Sequence, residues 1–262
     1  MNFYEIIMLL FGIFSALIGC FLYLKNYKNK LKQQTSEFIS IATHQLRTPL
    51  TAIKWSIKMI LDGDVGKLNQ EQQELLSKGY QSNERVIKLV NDLLDVSRIE
   101  EKKFDYQFDK YDFENIIDTA IERLQNLIIK KHLKIKFNKP IKSPKIYVDK
   151  EKILLVLQNL LANAMNYSTE NGIIKIDIKI KNKFLLIYIK DNGVGIPKNE
   201  QFKLFSKFFR ASNIMKFKTQ GSGLGLFITK NIIEKHGGRI SIKSQEGKGT
   251  EVCFSLPILS SP

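Results

Sequence analysis

Apolar residues gather first in one unbroken run. From Phe3 to Leu24 the chain is almost wholly apolar, interrupted only by Glu5, Gly12, Ser15 and Gly19. As a helix rising about 1.5 Å per residue, such a run crosses a bilayer core of roughly 30 Å. The pattern then turns amphipathic. Leu46, Leu50, Ile53, Ile57 and Ile60 recur at steps of four and three, a helical seam. The spacing predicts a helix from Leu31 to about Leu61, with Pro49 expected to bend it locally. Asp62-Gly63-Asp64-Val65-Gly66 signals a turn, and Asn69 is placed to cap a second helix running to about Glu101. Leu75, Leu76, Val86, Leu89, Val90, Leu93, Leu94 and Val96 form its apolar side. The result is an antiparallel hairpin with a stripe it cannot cover alone. Two copies forming a four-helix bundle would cover it, so a homodimer is expected.

Beyond Tyr111 the periods alternate. Phe113 to Lys131, Lys150 to Tyr167 and Leu224 to Lys235 read as helices, the last stopped by Gly237-Gly238. Leu133–Phe137 and Ile146–Val148 read as short strands. Ile174, Ile176, Ile178 and Ile180, then Leu185, Ile187 and Ile189, alternate with other residues at the strand period. Asn182-Lys183 turns one strand into the next, and Ile240–Ser244 and Glu251–Leu256 complete a mixed sheet with helices on one face.

Charge adds an orientation. The chain carries 41 basic and 26 acidic residues, a net +15. Lys25, Lys28, Lys30 and Lys32 follow the apolar run directly, and the positive-inside rule places everything after Leu24 in the cytoplasm of a membrane-anchored, single-pass protein. A cleaved signal peptide fits less well, because the run lacks a basic start and a small-residue cleavage site. Only a few residues precede the run, so no external sensor domain is expected. The stretch between Leu24 and Phe38 is too short for a relay domain. Lysines spread along the surface suit an anionic lipid face or phosphate-rich ligands. No zinc-finger spacing or basic recognition helix stands out, so nucleic acid is not expected as a partner. Cys20 and Cys253 are too few and too differently set for a disulfide framework or metal site.

The histidines are His44, His132 and His236; His132 precedes a strand, and His236 sits at a helix end, where the dipole favours positive charge. His44, in His44-Gln45-Leu46-Arg47-Thr48-Pro49, falls off the apolar seam and should face solvent or a visiting partner. Three further constellations carry chemistry. Asn159, Asn163, Asn166 and Tyr167 share one helical face, and amide oxygens are hard ligands suited to Mg²⁺. Asp191-Asn192-Gly193-Val194-Gly195 ends a strand, where glycines admit a ligand close to the backbone and a carboxylate accepts from an adenine amino group. Gly221-Ser222-Gly223-Leu224-Gly225 opens a helix, whose free N–H groups suit phosphate. Singly, each also fits an ordinary amphipathic helix, an Asn-Gly turn or a glycine-rich connection. The three in this order are hard to reach by chance.

With those motifs the sequence resembles a bacterial sensor histidine kinase: a HisKA-type dimerisation and phosphoacceptor domain followed by a GHKL-type ATP-binding domain. The resemblance runs from about Phe38 to Pro257. It covers an H box at His44–Pro49, an N box at Asn159–Tyr167 and glycine boxes at Asp191–Gly195 and Gly221–Gly225. An F box lies at Phe205, Phe208, Phe209 and Arg210. It implies a multidomain α and α/β chain. Residues 1–24 would be a single transmembrane helix and 25–37 a basic juxtamembrane helix. Residues 38–103 would be the hairpin of a dimeric four-helix bundle, and 104–262 a Bergerat-type α/β sandwich that binds ATP.

The resemblance further implies that His44 accepts the phosphoryl group of Mg-ATP and passes it to an aspartate of a separate response regulator acting in trans. Asn163 should hold Mg²⁺ with Asn159 beside it, Asp191 should read the adenine amino group, and Tyr167 should flank the base. Gly221, Gly223 and Gly225, with Ser222 and Leu224, should pass the phosphates across a lid. That lid lies between Arg210 and Gly221 and contains Lys216 and Lys218. Gly193, Gly195, Phe208 and Arg210 belong to the same nucleotide set, and the Thr250 hydroxyl should support Asp191. Thr48 either orients water for dephosphorylating the regulator or is a local helix hydroxyl. Two positions depart from the family. Gln45 stands where an acid is usual, and a Gln can accept a ring N–H but not a proton. Asn166 stands where a phosphate-contacting base is common. These departures keep open a phosphatase-dominant protein, and beyond it a GHKL ATPase module without phosphohistidine.

Overall fold

The computed structural model describes residues 3–139, 144–217 and 221–258. The chain forms two compact units, one ending at Lys103 and the other beginning at Phe104.

The first unit is a helical hairpin of α1 (Phe3–Asp62) and α2 (Gln70–Glu100). The helix continues through Pro49, so the proline is accommodated inside α1. Asn69 caps α2 as its sequence suggests. Its side chain accepts from the Gln72 N–H at 2.8 Å, while Gln72 accepts the Asn69 N–H at 3.0 Å, a reciprocal capping box. Partners step backward along α2 as α1 advances, which makes the pair antiparallel. Ser36 meets Ser97, Arg47 donates to Asn91 (2.7 Å), Asn83 donates to the Leu50 carbonyl (2.8 Å), and Lys54 pairs with Glu84 (2.8 Å). The expected transmembrane stretch, 1–24, is helical from Phe3, but its side chains at 5–11, 13–16 and 18 lie outside the described residues. Among the described residues no helix is long and apolar enough to cross a membrane.

The second unit is a layered α/β fold. A five-stranded sheet has the order β2 (Lys134–Asn138), β4 (Ile173–Lys181), β5 (Phe184–Lys190), β7 (Gly249–Pro257), β6 (Arg239–Gln245). Only β2 and β4 run parallel, so the sheet is mixed as expected. Alternation decides which face is buried. Ile174, Ile176, Leu185, Ile187, Ile189, Phe254 and Leu256 turn inward. Buried along with them are Ile116 and Ile117 of α3 (Phe113–Arg123), Leu154 and Leu157 of α5 (Lys150–Tyr167), and Ile228 and Ile232 of α7 (Gly225–Lys235). The β4–β5 turn has Asn182 and Lys183 both at positive φ (50° and 64°), the backbone of a tight hairpin turn. Helix α7 stops as its glycines suggest. Gly237 N–H bonds the Glu234 carbonyl and Gly238 N–H the Ile233 carbonyl, a Schellman closure.

Three details differ from the sequence reading. The helix expected over Phe113–Lys131 is two, α3 and α4 (Gln125–Lys130), because Leu124 leaves helical geometry at φ −106° with no glycine or proline to announce it. β3 (Lys145–Val148) joins not the main sheet but a separate antiparallel ribbon with β1 (Asp109–Asp112), a strand too polar to show alternation. And His236 is not a charged helix-end residue. It is buried, accepts the Asp149 N–H at Nε2 (3.0 Å) and bonds the Ile232 carbonyl through Nδ1 (2.8 Å), against the rings of Phe108 and Tyr106. Burial pushes its pKa down, so it is held as the neutral Nδ1–H tautomer.

Candidate functional site

In the hairpin, the side that packs on α2 is marked by buried Ser36 and Thr43. One residue past Thr43 a helix has turned about a quarter of the way round, so His44 faces solvent, as its place off the seam requires. Gln45 and Thr48 are exposed beside it. Arg47 reaches the other way, to Asn91 on α2.

In the α/β unit, four chain segments converge. At the end of β5, Asp191 is buried, and its Oδ1 accepts two backbone N–H groups, Gly193 at 2.9 Å and Thr250 at 3.1 Å. Burial raises its pKa and the two N–H bonds oppose that rise. Oδ2 accepts from nothing among the described residues, so one oxygen is fixed and the other can receive a donor. Thr250 thus supports Asp191 through its backbone, whereas its hydroxyl lies 2.9 Å from Ser244 Oγ.

Gly193 makes this geometry possible. A Cβ there would lie 2.1 Å from the Tyr167 carbonyl oxygen, so any side chain would push the strand-end loop off α5. The next residue, Val194, donates to that carbonyl at 3.1 Å. Tyr167 itself packs on a small apolar cluster of Ile196, Leu204, Ala211 and Ile214, together with Phe209. Desolvation raises its phenol pKa, and the Arg210 charge opposes this. The second glycine segment leads into α7. Helices α2 and α5 are capped by Asn69 and Asp149, but no side chain caps α7 at Leu224, so its first N–H groups remain for an anion. Gly225 approaches Asn159, with a virtual Cβ 3.4 Å from Oδ1, and Gly223 backs onto Phe208, itself at φ 60°. Gly221 faces Arg210, and Ser222 Oγ accepts the Leu224 N–H at 3.2 Å. Asn159 is buried and its Nδ2 has no hydrogen-bond partner, an unsatisfied donor at the centre of the motif. Asn163, one turn on, is half-buried.

The structure therefore gathers Asn159, Tyr167, Asp191, Gly193, Phe208, Arg210, Gly223, Gly225 and Thr250 through shared contacts. Gly195 sits behind them, where a Cβ would lie 2.0 Å from the Gln245 carbonyl oxygen. The segment expected to form the lid begins as α6 (Ser212–Phe217), pinned where Ser212 N–H and Oγ both bond Glu200 (2.8 and 2.7 Å) and Asn213 donates to the Gly195 carbonyl (3.0 Å). The Lys216 side chain and Lys218 lie outside the described residues.

The sequence reading missed three supporting residues. Ser244 Oγ accepts the Ile196 N–H and donates to the Gly249 carbonyl (each 2.9 Å). Gln201 donates to the Ile196 and Ser244 carbonyls (3.0 and 2.9 Å). Lys131 Nζ bonds the Met165 carbonyl at 2.6 Å and lies 3.5 Å from Asn166 Oδ1, so it brings a cation beside the position where the expected base is missing. No local spacing signals any of the three, since each acts on residues more than thirty positions away or within a turn.

Among known proteins, residues 34–102 match the His Kinase A (phospho-acceptor) domain family. Residues 148–260 match the histidine kinase-, DNA gyrase B- and HSP90-like ATPase family. The sensor histidine kinase WalK of Bacillus subtilis (strain 168) is 35% identical over 234 residues, covering 88% of this chain and 38% of that protein. A sensor protein kinase WalK of Staphylococcus aureus is 33% identical over 232 residues, 88% of this chain and 55% of that protein. The chain thus spans well under two thirds of these relatives. A catalytic domain of histidine kinase ThkA superposes with a TM-score of 0.52 at 31% identity, over 58% of this chain and 96% of that one. Full-length ShkA in complex with AMPPNP shares the fold, with a TM-score of 0.69 at 22% identity over 86% of this chain and 46% of that one.

Proposed function

Because the chain belongs to the bacterial sensor histidine kinases, we propose that it uses ATP to phosphorylate His44 and passes the phosphoryl group to an aspartate of a separate response regulator. The observation that carries the reading is Asp191. Its carboxylate is buried, held through one oxygen by two backbone N–H groups, and open at the other. Such a group accepts from an adenine amino group and repels a guanine carbonyl. The uncapped start of α7 and the Gly221–Gly225 backbone receive the phosphates, and Tyr167 lies along the base.

The donor set fits Mg²⁺. The buried, unpartnered amide of Asn159 is what a phosphate oxygen or a metal-bound water would satisfy, and Asn163 offers an amide oxygen one turn away. Bound there, the ion would neutralise charge on the phosphates. The rest falls to the chain's own groups. A ring nitrogen of neutral, exposed His44 attacks the γ-phosphorus in line. The P–O bond to the leaving group breaks, and ADP departs with that electron pair. Gln45 can orient the ring by accepting its N–H, and the proton leaves to water.

The hairpin's uncovered apolar residues support the homodimer, since Trp55 and Leu75 remain 59% and 70% exposed. The apolar run 3–24 and the lysines after it support a membrane anchor with everything after Leu24 in the cytoplasm.

Incubation with γ-labelled ATP tests the central claim. We expect acid-labile, base-stable label on the wild-type chain, none on His44→Ala, and unchanged ATP binding by that variant. Label that survives His44→Ala overturns the assignment. Free phosphate released with no protein label favours a plain ATPase module instead. Exposed Gln45 and Thr48 favour one second reading, a regulator phosphatase. It predicts weak label and fast loss of phosphate from an added phospho-regulator, abolished by Thr48→Ala.

A further inference from the structure

The face of the main sheet that carries no helices is unusually basic, and its charges are set in rows. Lys136, Lys175, Lys190, Glu251 and Lys243 are direct cross-strand neighbours, one from each of β2, β4, β5, β7 and β6. Neighbouring strands lie about 4.8 Å apart, so four lysines and one glutamate leave the sheet in a closely spaced line. Lys175 has a lysine opposite it on both sides, and like charges directly opposite destabilise a sheet. Glu251 must serve both Lys190 and Lys243. Further along, Lys179, Lys181 and Arg239 are exposed on the same face. Asp177, the other acid there, already accepts the Asn138 amide at 2.6 Å. Between the basic rows lies a half-buried, uncharged middle of Leu186, Tyr188 and Cys253.

A sheet face with more exposed lysines than acids can attract an anion from outside, and this one is broad and has charges distributed over its plane. We propose that it is a docking surface for an anionic lipid bilayer, which lays the catalytic unit on the membrane. A bilayer supplies a plane of negative charge over the whole area, and each lysine near it adds attraction that salt screens. The neutral middle, with a tyrosine, suits the headgroup boundary. The lysines that follow the apolar run and the net charge of +15 point to the same partner. Single-stranded nucleic acid fits less well, because a stacking platform needs an open ring, and Lys179 Nζ lies over Tyr188 at 5.6 Å. The proposal rests in part on the anchor reading, and the test separates the two.

The full chain is reconstituted into vesicles of phosphatidylcholine alone or mixed with phosphatidylglycerol, and surface amines are acetylated and mapped by mass spectrometry. Lys175, Lys190 and Lys243 should label about threefold or more slowly on the anionic vesicles, with raised salt restoring the rate. Lys235, exposed on α7, is the internal reference. A chain carrying Lys175→Glu, Lys190→Glu and Lys243→Glu should lose the protection of Lys136 and Lys179 while still binding ATP, which shows that it is folded. Equal labelling on both vesicles overturns the proposal, as does protection by an oligonucleotide but not by phosphatidylglycerol. Carbonate extraction reads the anchor independently. A chain that is extracted yet protected refutes the anchor and keeps the docking face, and one that resists extraction yet labels equally does the reverse.

Discussion

In the hairpin, Leu46, Ile53, Trp55, Met59 and Leu75 keep roughly half or more of their surface in water, whereas in the α/β unit Ile153, Leu154, Ile187 and Phe254 keep none. Both units are rich in apolar residues, so the difference lies in geometry. Three helices laid on the sheet bury the middle of its inner face and leave only the strand end at Ile180 open. Two antiparallel helices touch along one line and leave a stripe on each outer side. The α/β unit is therefore complete as one copy, and the hairpin is half of an interface. The proposed chemistry divides the same way. In the proposed reaction Asp191 serves as a buried, fixed group, and His44 as an exposed one that can be visited.

The largest expected effect comes from giving each unit one methyl group. In the α/β unit, Gly193→Ala would set Cβ 2.1 Å from the Tyr167 carbonyl oxygen, a backbone atom that cannot swing aside. A loss of about 3 kcal/mol is expected, with ATP binding lost alongside because Asp191 is displaced. In the hairpin, Gly79→Ala meets only Ile57 Cδ1 at 3.9 Å and replaces a glycine inside α2. A gain of up to about 1 kcal/mol is expected there. Thermal unfolding of both variants checks the pair. A destabilised Gly79→Ala would sharpen the comparison differently, by placing Gly79 against the second hairpin of the dimer.

A smaller effect separates the units by pH. His236 binds its proton less readily folded than unfolded, because burial disfavours the cation and its Nε2 is taken by the Asp149 N–H. Below the unfolded value of about 6.5 the unfolded chain takes up the proton first. The α/β unit should thus hold full stability above that pH and lose it as pH falls through the lower folded value. Asp149 also caps α5 through Lys152 N–H and holds Gln107 N–H at 2.8 Å, so charging His236 should loosen the 104–108 segment as well. His236→Phe should flatten the slope, at a cost of about 1–3 kcal/mol for the orphaned Asp149 N–H. Unfolding midpoints from pH 7.5 to 5.5 read both effects. The hairpin has no buried histidine and should show no matching slope.

What could be read beforehand follows from range. The Asn69 cap, helix α5, the paired isoleucine strands and the Asn182-Lys183 turn are local patterns, and the sequence showed each of them. The glycine motifs were legible for the same reason, since close approach is demanded of the glycine itself. Features made by distant neighbours were hidden. Lys131 beside Asn166, the Thr250 backbone on Asp191, and His236 under Asp149 each join residues from different elements with no common period. The Asp109–Asp112 strand was invisible because its side chains are polar and its pairing is with β3 alone.

The smallest effect concerns the residue beside the exposed imidazole. Gln45 can hold the ring through its Oε1 but cannot take the proton that leaves when the P–N bond forms. A positioned base is worth on the order of 100-fold or more in an enclosed site. Gln45 is exposed, so water competes for that proton, and Gln45→Glu should raise the rate of His44 labelling by only about tenfold or less. The gain should shrink as pH falls and the new carboxylate is protonated, a limb the wild-type profile lacks. ATP affinity should not change, because no part of Asp191's surroundings is altered. Single-turnover labelling across pH makes the measurement. A faster rate with that new limb shows that proton removal limits the hairpin's chemistry. A slower rate shows that the amide N–H, which glutamate does not have, is the group the exposed site uses, and that His44 depends on a fixed donor much as Asp191 does.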